Sequence, residues 1–152
     1  MTQKIQKILV PLDGSAGSEA VLPTVEELAR AQGARVRLLQ VVPPGVEAVV
    51  ADGRVVVYAD QETERIAQEV LAYLKTAAAA LSGIDVELAV HFGNPVEEIV
   101  REAESAGADL IAMATHRWTG VRRLLRGSVA EKVERTTTIP VLLVRYGERL
   151  AA

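Results

Sequence analysis

The sequence predicts an α/β fold in which a doubly wound, five-stranded parallel sheet forms one domain. Five short apolar runs alternate with amphipathic segments along 152 residues, and hydrophobic residues make up 49% of the chain. Continuous apolar runs are typical of parallel strands buried on both faces, and their alternation with helices is the pattern of βαβ units. A chain of this length is long enough to bury one hydrophobic core. We expect residues 1–147 to form that single domain and residues 148–152 to be a C-terminal tail.

The apolar runs are the predicted strands. They cover residues 7–13, 35–42, 84–93, 108–115 and 141–145. The first run ends in Asp13, Gly14 and Ser15, which are typical turn residues. Ligands of doubly wound sheets bind outside the carboxyl ends of the strands, where the strand order reverses. Polar residues follow the first strand, and polar and basic residues follow the fourth. If these two strands are neighbours, the residues line one shared crevice.

Amphipathic segments between the strands are the predicted helices. They run from Ser18 to Gly33, from Asp60 to Leu81, from Pro95 onward and over residues 129–136. Ser18, Asn94 and Ser128 are candidate N-caps, and Pro95 is suited to the first helical position. Residues 45–58 are rich in Val and Gly without clear periodicity, so they are predicted to be a long connection.

Composition excludes several classes of function. The net charge of −3 argues against a general nucleic-acid-binding protein, which needs an excess of Lys and Arg. The chain has no cysteine and only two histidines, far apart in sequence, so disulfides, thiolate catalysis and His- or Cys-based metal sites are not expected. No apolar run is long enough to span a bilayer or to serve as a signal sequence. We expect a cytoplasmic protein without nucleic-acid or membrane partners.

The most unusual stretch is residues 114–128, ATHRWTGVRRLLRGS, which follow the fourth strand. It contains four arginines and ends in Gly127 and Ser128, directly before a predicted helix. Free backbone N–H groups and the macrodipole at a helix start attract phosphate oxygens, so this pair indicates an anion site. The simpler interpretation is that the arginines form a solvated basic face.

Three segments together resemble the universal stress protein family, in its order and spacing over nearly the whole chain. They are KILVPLDGSAGSEAVL, GNPVEEIVREAESAGADLIAMATH and TGVRRLLRGSVAEKVERTTTIPVLLVR. The resemblance, to the ATP-binding, UspA-like subgroup, implies a flavodoxin-like (Rossmann-like) strand order 3-2-1-4-5. It also implies a homodimer paired through the last strand, Val141 to Arg145. The implied function is a stress-response regulatory module that binds ATP, or AMP or ADP, with or without Mg²⁺.

The resemblance further implies which residues bind the nucleotide. Pro11 and Val41 would pack on adenine, Asp13 would lie at the ribose and adenine side, and Met113 would form the pocket floor. The predicted set is Pro11, Leu12, Asp13, Ser15, Val41, Met113, Ala114, Thr115, Arg117, Gly127, Ser128 and Val129. Each residue also has a simpler role in the core, in a turn or as a helix cap. No catalytic residue and no metal ligand are predicted.

Arg117 departs from the family pattern, which is Gly, two residues, Gly, nine residues, then Gly with Ser or Thr. The matching positions are Ala114, Arg117, Gly127 and Ser128. If the family glycine has a positive φ, a non-glycine residue there costs about 1–2 kcal/mol. A guanidinium beside an anion can, however, form paired charge-assisted hydrogen bonds. Arg117 therefore either closes the pocket or replaces lost backbone donors.

Two functional hypotheses remain open from the sequence. The first is the adenine-nucleotide-binding module; the second is a nucleotide-free dimeric interaction protein in which Arg117 occupies the phosphate site and residues 45–58 supply a contact surface. An enzyme is less favoured, because the chain has no GxxxxGK[ST] loop, no GxGxxG after the first strand and no GxSxG elbow. At most, slow hydrolysis of bound ATP remains open.

Overall fold

The computed structural model describes residues 4–43, 49–51, 54–57, 59–116 and 129–147. In chain order, its elements are β1 (Lys7–Pro11), a 3₁₀ turn (Ser18–Val21), α1 (Leu22–Gln32), β2 (Arg35–Val42), β3 (Val49–Ala51), β4 (Arg54–Val57), α2 (Ala59–Ala78), β5 (Val86–Phe92), α3 (Pro95–Ser105), β6 (Leu110–His116), α4 (Val129–Thr136) and β7 (Val141–Tyr146). The five predicted strands are present as β1, β2, β5, β6 and β7, each within about three residues of its expected bounds.

The central sheet has the strand order β5-β2-β1-β6-β7, and all of its pairs are parallel. Numbered by chain order within this sheet, that is 3-2-1-4-5, so the predicted order is confirmed. β1 pairs with β2 on one side and with β6 on the other. The strand order therefore reverses between β1 and β6, and the carboxyl ends of these two strands border the same crevice.

Apolar side chains cover both faces of the sheet. Ile8 and Val10 of β1 pack on one face in a cluster that includes α1 and α2, whereas Leu9 packs on the other face with residues of α3 and α4. Successive side chains of a strand point to opposite faces, so a strand covered by helices on both sides is apolar at most positions. This explains the continuous apolar runs in the sequence.

Local signals set the ends of two helices as predicted. Asn94 Oδ1 accepts a hydrogen bond from the backbone N–H of Glu97 at 3.2 Å, and Pro95 is the first residue of α3. Gly33 ends α1 in the left-handed conformation, with φ of 66°. Both are interactions between residues close in the chain, which is why the sequence predicts them correctly.

The predicted start of the first helix at Ser18 was wrong. Ser18 begins a 3₁₀ turn, and the α-helix begins at Leu22 with no side-chain cap. Pro23 explains the difference, because its ring would clash with the carbonyl four residues earlier, at Glu19, and it has no N–H to donate. The α-helix can start just before Pro23 but cannot run through it from Ser18.

Part of the predicted connection over residues 45–58 is an antiparallel strand pair. β3 pairs with β4, with Val49 opposite Val57 and Ala51 opposite Arg54. Valine-rich segments favour strands, and the intervening sequence Asp52-Gly53 is a common hairpin signal. This signal lies in the turn and in residue composition, so the absence of periodicity in residues 45–58 does not exclude a hairpin. Residues 44–48, 52–53 and 58 lie outside the described part of the chain.

Candidate functional site

A cavity of about 400 Å³ lies at the carboxyl edge of the sheet. Its walls come from the ends of β1, β2, β6 and β7 and from the first turns of α3 and α4. A volume of this size is within the range of pockets that bind small molecules, which is about 300–1,000 Å³. The cavity therefore occupies the place where a doubly wound sheet binds its ligands.

Most of the predicted site residues lie together around this cavity. Those that line it are Pro11, Leu12, Asp13, Val41, Met113, Ala114, Thr115 and Val129. Ser15 does not line it but hydrogen-bonds to Asp13. Arg117, Gly127 and Ser128 lie outside the described residues. The structure therefore brings together the β1, β2 and β6 parts of the predicted set.

Asp13 is held in a hydrogen-bonded turn at the cavity. Its Oδ1 accepts from the Ser15 backbone N–H at 2.8 Å and from the Ser15 hydroxyl at 2.5 Å. Gly14 between them has φ of +88°, which favours glycine. Burial raises the pKa of Asp13, but hydrogen bonds from Ser15 and Ser18 outweigh this effect and hold the pKa below its usual value. Asp13 is therefore ionised at neutral pH and acts only as an acceptor.

Residues 4–145 match the model of the universal stress protein family. This chain belongs to the universal stress protein family. Universal stress protein YxiE of Bacillus subtilis is 34% identical to it, in an alignment that covers 91% of this chain and 98% of the relative. The family match spans β1, β2 and β6 in full and β7 as far as Arg145.

Solved structures of other universal stress proteins have the same fold. The structure of MJ0577, a universal stress protein of Methanocaldococcus jannaschii, superposes with a TM-score of 0.78 at 28% identity and covers 97% of this chain and 100% of that one. A universal stress protein in complex with cAMP has a TM-score of 0.69 at 23% identity, covering 94% and 98%. The Archaeoglobus fulgidus protein in complex with dAMP has a TM-score of 0.58 at 21% identity, covering 93% and 99%.

Several cavity residues of this universal stress protein were not predicted. They are Ser18, Gln40, Pro43, Pro95, Ile99, Ala130 and Tyr146. Gln40 did carry a signal, as an uncharged polar residue inside an apolar strand. Tyr146 carried none, because it reaches the cavity only through the pairing of β7 with β6. Its ring packs so closely on Gly17 that a Cβ at that position would overlap the ring.

Two buried polar atoms within the described residues have no hydrogen bond of normal geometry. They are Gln40 Oε1 and Tyr73 Oη. Burial, together with the nearby carboxylate of Glu19, raises the pKa of the Tyr73 phenol to about 12. Tyr73 therefore stays protonated at neutral pH. Gln40 differs from Tyr73 in that it lines the cavity.

A wider depression of about 950 Å³ lies at the opposite, amino edge of the sheet. Several of its charged side chains have partners: Asp109 Oδ2 accepts from the backbone N–H of Lys7 at 3.1 Å, and Arg35 Nε donates to Asp85 Oδ2 at 2.8 Å. Arg30 Nη2 donates to the carbonyl of Ser82 at 2.6 Å. These groups hold strand and helix ends together, so the carboxyl-edge cavity is the candidate site.

Metal-binding clusters and membrane-spanning helices are absent from the described part of the chain. None of its His, Asp and Glu side chains gather in groups of three or more that could hold a metal ion. None of its helices is both long and apolar enough to cross a bilayer.

Proposed function

We propose that this universal stress protein binds an adenine nucleotide in the carboxyl-edge cavity and acts as a regulatory module in the stress response. The observation that carries the proposal is the combination of apolar walls, at Pro11, Val41 and Met113, with the ionised carboxylate of Asp13. Apolar walls suit a planar base, and a carboxylate accepts strong hydrogen bonds from ribose hydroxyls. The complexes of two family members with cAMP and dAMP support the same class of ligand.

In this proposal the phosphates lie near the start of α4. Val129 and Ala130, the first residues of that helix, line the cavity. The positive end of the helix macrodipole favours anions there, whereas the negative charge of Asp13 disfavours them at the other side. Gly127 and Ser128 are the proposed phosphate ligands that precede the helix. We propose ATP, or AMP or ADP, as the ligand, with any Mg²⁺ held mainly through the phosphates.

The direct test looks for the nucleotide itself. We expect mass spectrometry of the denatured, purified protein to detect a released adenine nucleotide. We also expect ATP with Mg²⁺ to give saturable heat in calorimetry, with one nucleotide bound per chain. A protein that releases no nucleotide and gives no heat would contradict the proposal.

The nucleotide-free interaction protein is the competing hypothesis. In it, Arg117 fills the phosphate site, and the valine-rich residues 45–58 contact a partner. The variant Arg117→Gly separates the two roles of this side chain. Binding that appears only in the variant identifies Arg117 as a blocking residue, whereas weaker binding in the variant identifies it as a phosphate ligand.

We also propose that the protein forms a homodimer through β7. This strand is at the edge of the five-stranded sheet, and its apolar side chains, Val141 to Val144, are partly exposed. An exposed apolar edge strand offers unpaired backbone groups, and pairing with a second copy across a two-fold axis would satisfy them.

Sedimentation can test this dimer with a backbone variant. The carbonyl of Pro140 accepts from the N–H of Ile111 in β6, so alternation directs the N–H of Arg145 away from β6. We expect wild type to sediment at twice the chain mass at micromolar concentration. Arg145→Pro removes one outward donor and should favour monomers while the fold is retained, whereas Arg145→Ala should remain dimeric. A monomeric wild type would contradict the dimer.

The proposal also covers the limits of the domain and the cellular location of the protein. We propose that residues 1–147 form one domain, that residues 148–152 are a tail, and that the protein is cytoplasmic. The family match over residues 4–145 supports the domain limits. Limited proteolysis that removes only the last residues, together with cell fractionation, would test both statements.

A further inference from the structure

Gln40 carries an unexplained polar atom next to the candidate site. It lies on β2 between Leu39 and Val41, and it lines the cavity. Its Oε1 is buried and has no hydrogen-bond partner among the described residues. A buried acceptor without a donor destabilises the protein relative to an apolar side chain of the same shape. A polar group at this position is therefore a candidate for contact with a ligand.

The amide of Gln40 reaches the turn that holds Asp13. A Cβ at Gly14 would lie 3.8 Å from Gln40 Nε2. In the sheet, Pro11 of β1 is opposite Leu39 of β2, so Gln40 is one residue nearer to the carboxyl edge. Gln40 and Asp13 therefore border the same cavity from adjacent strands.

We propose that Gln40 selects the base by recognising the edge of adenine that carries the 6-amino group and N7. This inference rests on the proposed binding of an adenine nucleotide. A glutamine amide presents one acceptor and one donor side by side, and adenine presents the complementary amino donor and N7 acceptor. A 6-oxo purine presents two acceptors at that edge, so the carbonyl of Gln40 would stay unpaired. Because Oε1 is covered in this structure, recognition includes rotation about the soft terminal torsion of the side chain.

Calorimetry with three nucleotides tests this role. The probes are ATP, ITP, which replaces the 6-amino group with an oxygen, and 7-deaza-ATP, which lacks the N7 acceptor. The test variant is Gln40→Met, which keeps the length of the side chain and removes both polar atoms. Gln40→Leu is a second variant in case the first fails to fold. Gln68→Met, at an exposed position of α2, is the matched control.

We expect wild type and Gln68→Met to bind ATP about tenfold more tightly than ITP, and a few-fold more tightly than 7-deaza-ATP. In Gln40→Met both ratios should fall close to one, while ITP still binds with nearly the wild-type affinity. Unchanged ratios in both Gln40 variants would overturn the role of Gln40 but leave nucleotide binding intact. A wild type that binds none of the three nucleotides would overturn the proposed function and this inference together.

Discussion

Replacing Asp13 with alanine is expected to weaken ATP binding by about 10- to 100-fold. The carboxylate is ionised, and the hydrogen bonds from Ser15 both go to Oδ1. Ser15 does not use Oδ2, so that oxygen has acceptor capacity for a hydroxyl donor of the ligand. A charge-assisted hydrogen bond of this kind contributes about 1.5–3 kcal/mol. Calorimetric titration with ATP and Mg²⁺ measures the loss.

Two further variants distinguish the effect of the Asp13 charge on binding from the unspecific effect of removing a surface carboxylate. Asp13→Asn keeps the shape and one acceptor, so its affinity should fall between those of wild type and Asp13→Ala. Asp85→Ala removes a mostly exposed carboxylate at the opposite edge of the sheet and should leave the affinity unchanged. Equal affinities for wild type and Asp13→Ala would place the ligand away from this turn.

The lowered pKa of Asp13 sets the pH dependence of its contribution. A carboxyl group with a lowered pKa in the folded protein stays ionised until the pH falls below its ordinary value, here 3.8. The difference in affinity between wild type and Asp13→Ala should therefore be constant from about pH 5 to 8, and it should shrink only at lower pH. A difference that shrinks between about pH 7 and 5 would contradict the hydrogen-bonded turn.

Removing the carboxylate of Glu102 is expected to reduce the free energy of unfolding by about 2–3 kcal/mol. Glu102 on α3 is 4% exposed, and its Oε1 accepts from Arg37 Nε of β2 at 2.6 Å. Its Oε2 lies 2.7 Å from His91 Nε2 of β5. Glu102→Leu leaves Arg37 with a single remaining carboxylate, that of Glu87. That surviving pair and the partial exposure of Arg37 keep the loss below the full effect of breaking a buried ion pair.

A double-mutant cycle isolates the Arg37–Glu102 interaction. Arg37→Met leaves Glu102 buried without its guanidinium, and we expect it to destabilise at least as much as Glu102→Leu. The double variant should lose less than the sum of the two, because an apolar pair leaves no unpaired buried charge. Urea unfolding of the four proteins measures the cycle. Arg65→Ala, at the exposed ion pair with Glu69, is the control and should change stability by less than about 1 kcal/mol. Strictly additive losses would argue against coupling.

Interactions between neighbours in the chain made much of the fold predictable. The apolar runs, the cap at Asn94 and the stop at Gly33 involve residues at most a few positions apart, and all are present. The wrong start at Ser18 has a local cause as well, since Pro23 and its clash with the preceding turn were visible in the sequence. These features depend on backbone geometry within one element, which is what periodicity measures.

The candidate site was only partly predictable. Asp13, Val41 and Met113 follow from the rule that ligands bind at the carboxyl ends of strands, together with the family resemblance. The sequence did not predict that Gln40 and Tyr146 line the cavity. Their positions there depend on the pairing of neighbouring strands and on packing against the turn after β1. Arg117 lies outside the described residues, so its role stays a prediction to be tested by Arg117→Gly.

By itself, the sequence determined the alternation of strands and helices, the position of the turn at Asp13 and membership of a family. The tertiary structure alone decided the partners of polar residues such as Arg37, Glu87 and Glu102. Arg37 is 65 residues from Glu102 and 50 from Glu87. Helical periodicity gives the face of α3 on which Glu102 lies, but not which strand that face covers. Its burial as an ion-pair partner depends on the register of β2 with β5 and on the packing of α3 over both, which are contacts between distant parts of the chain.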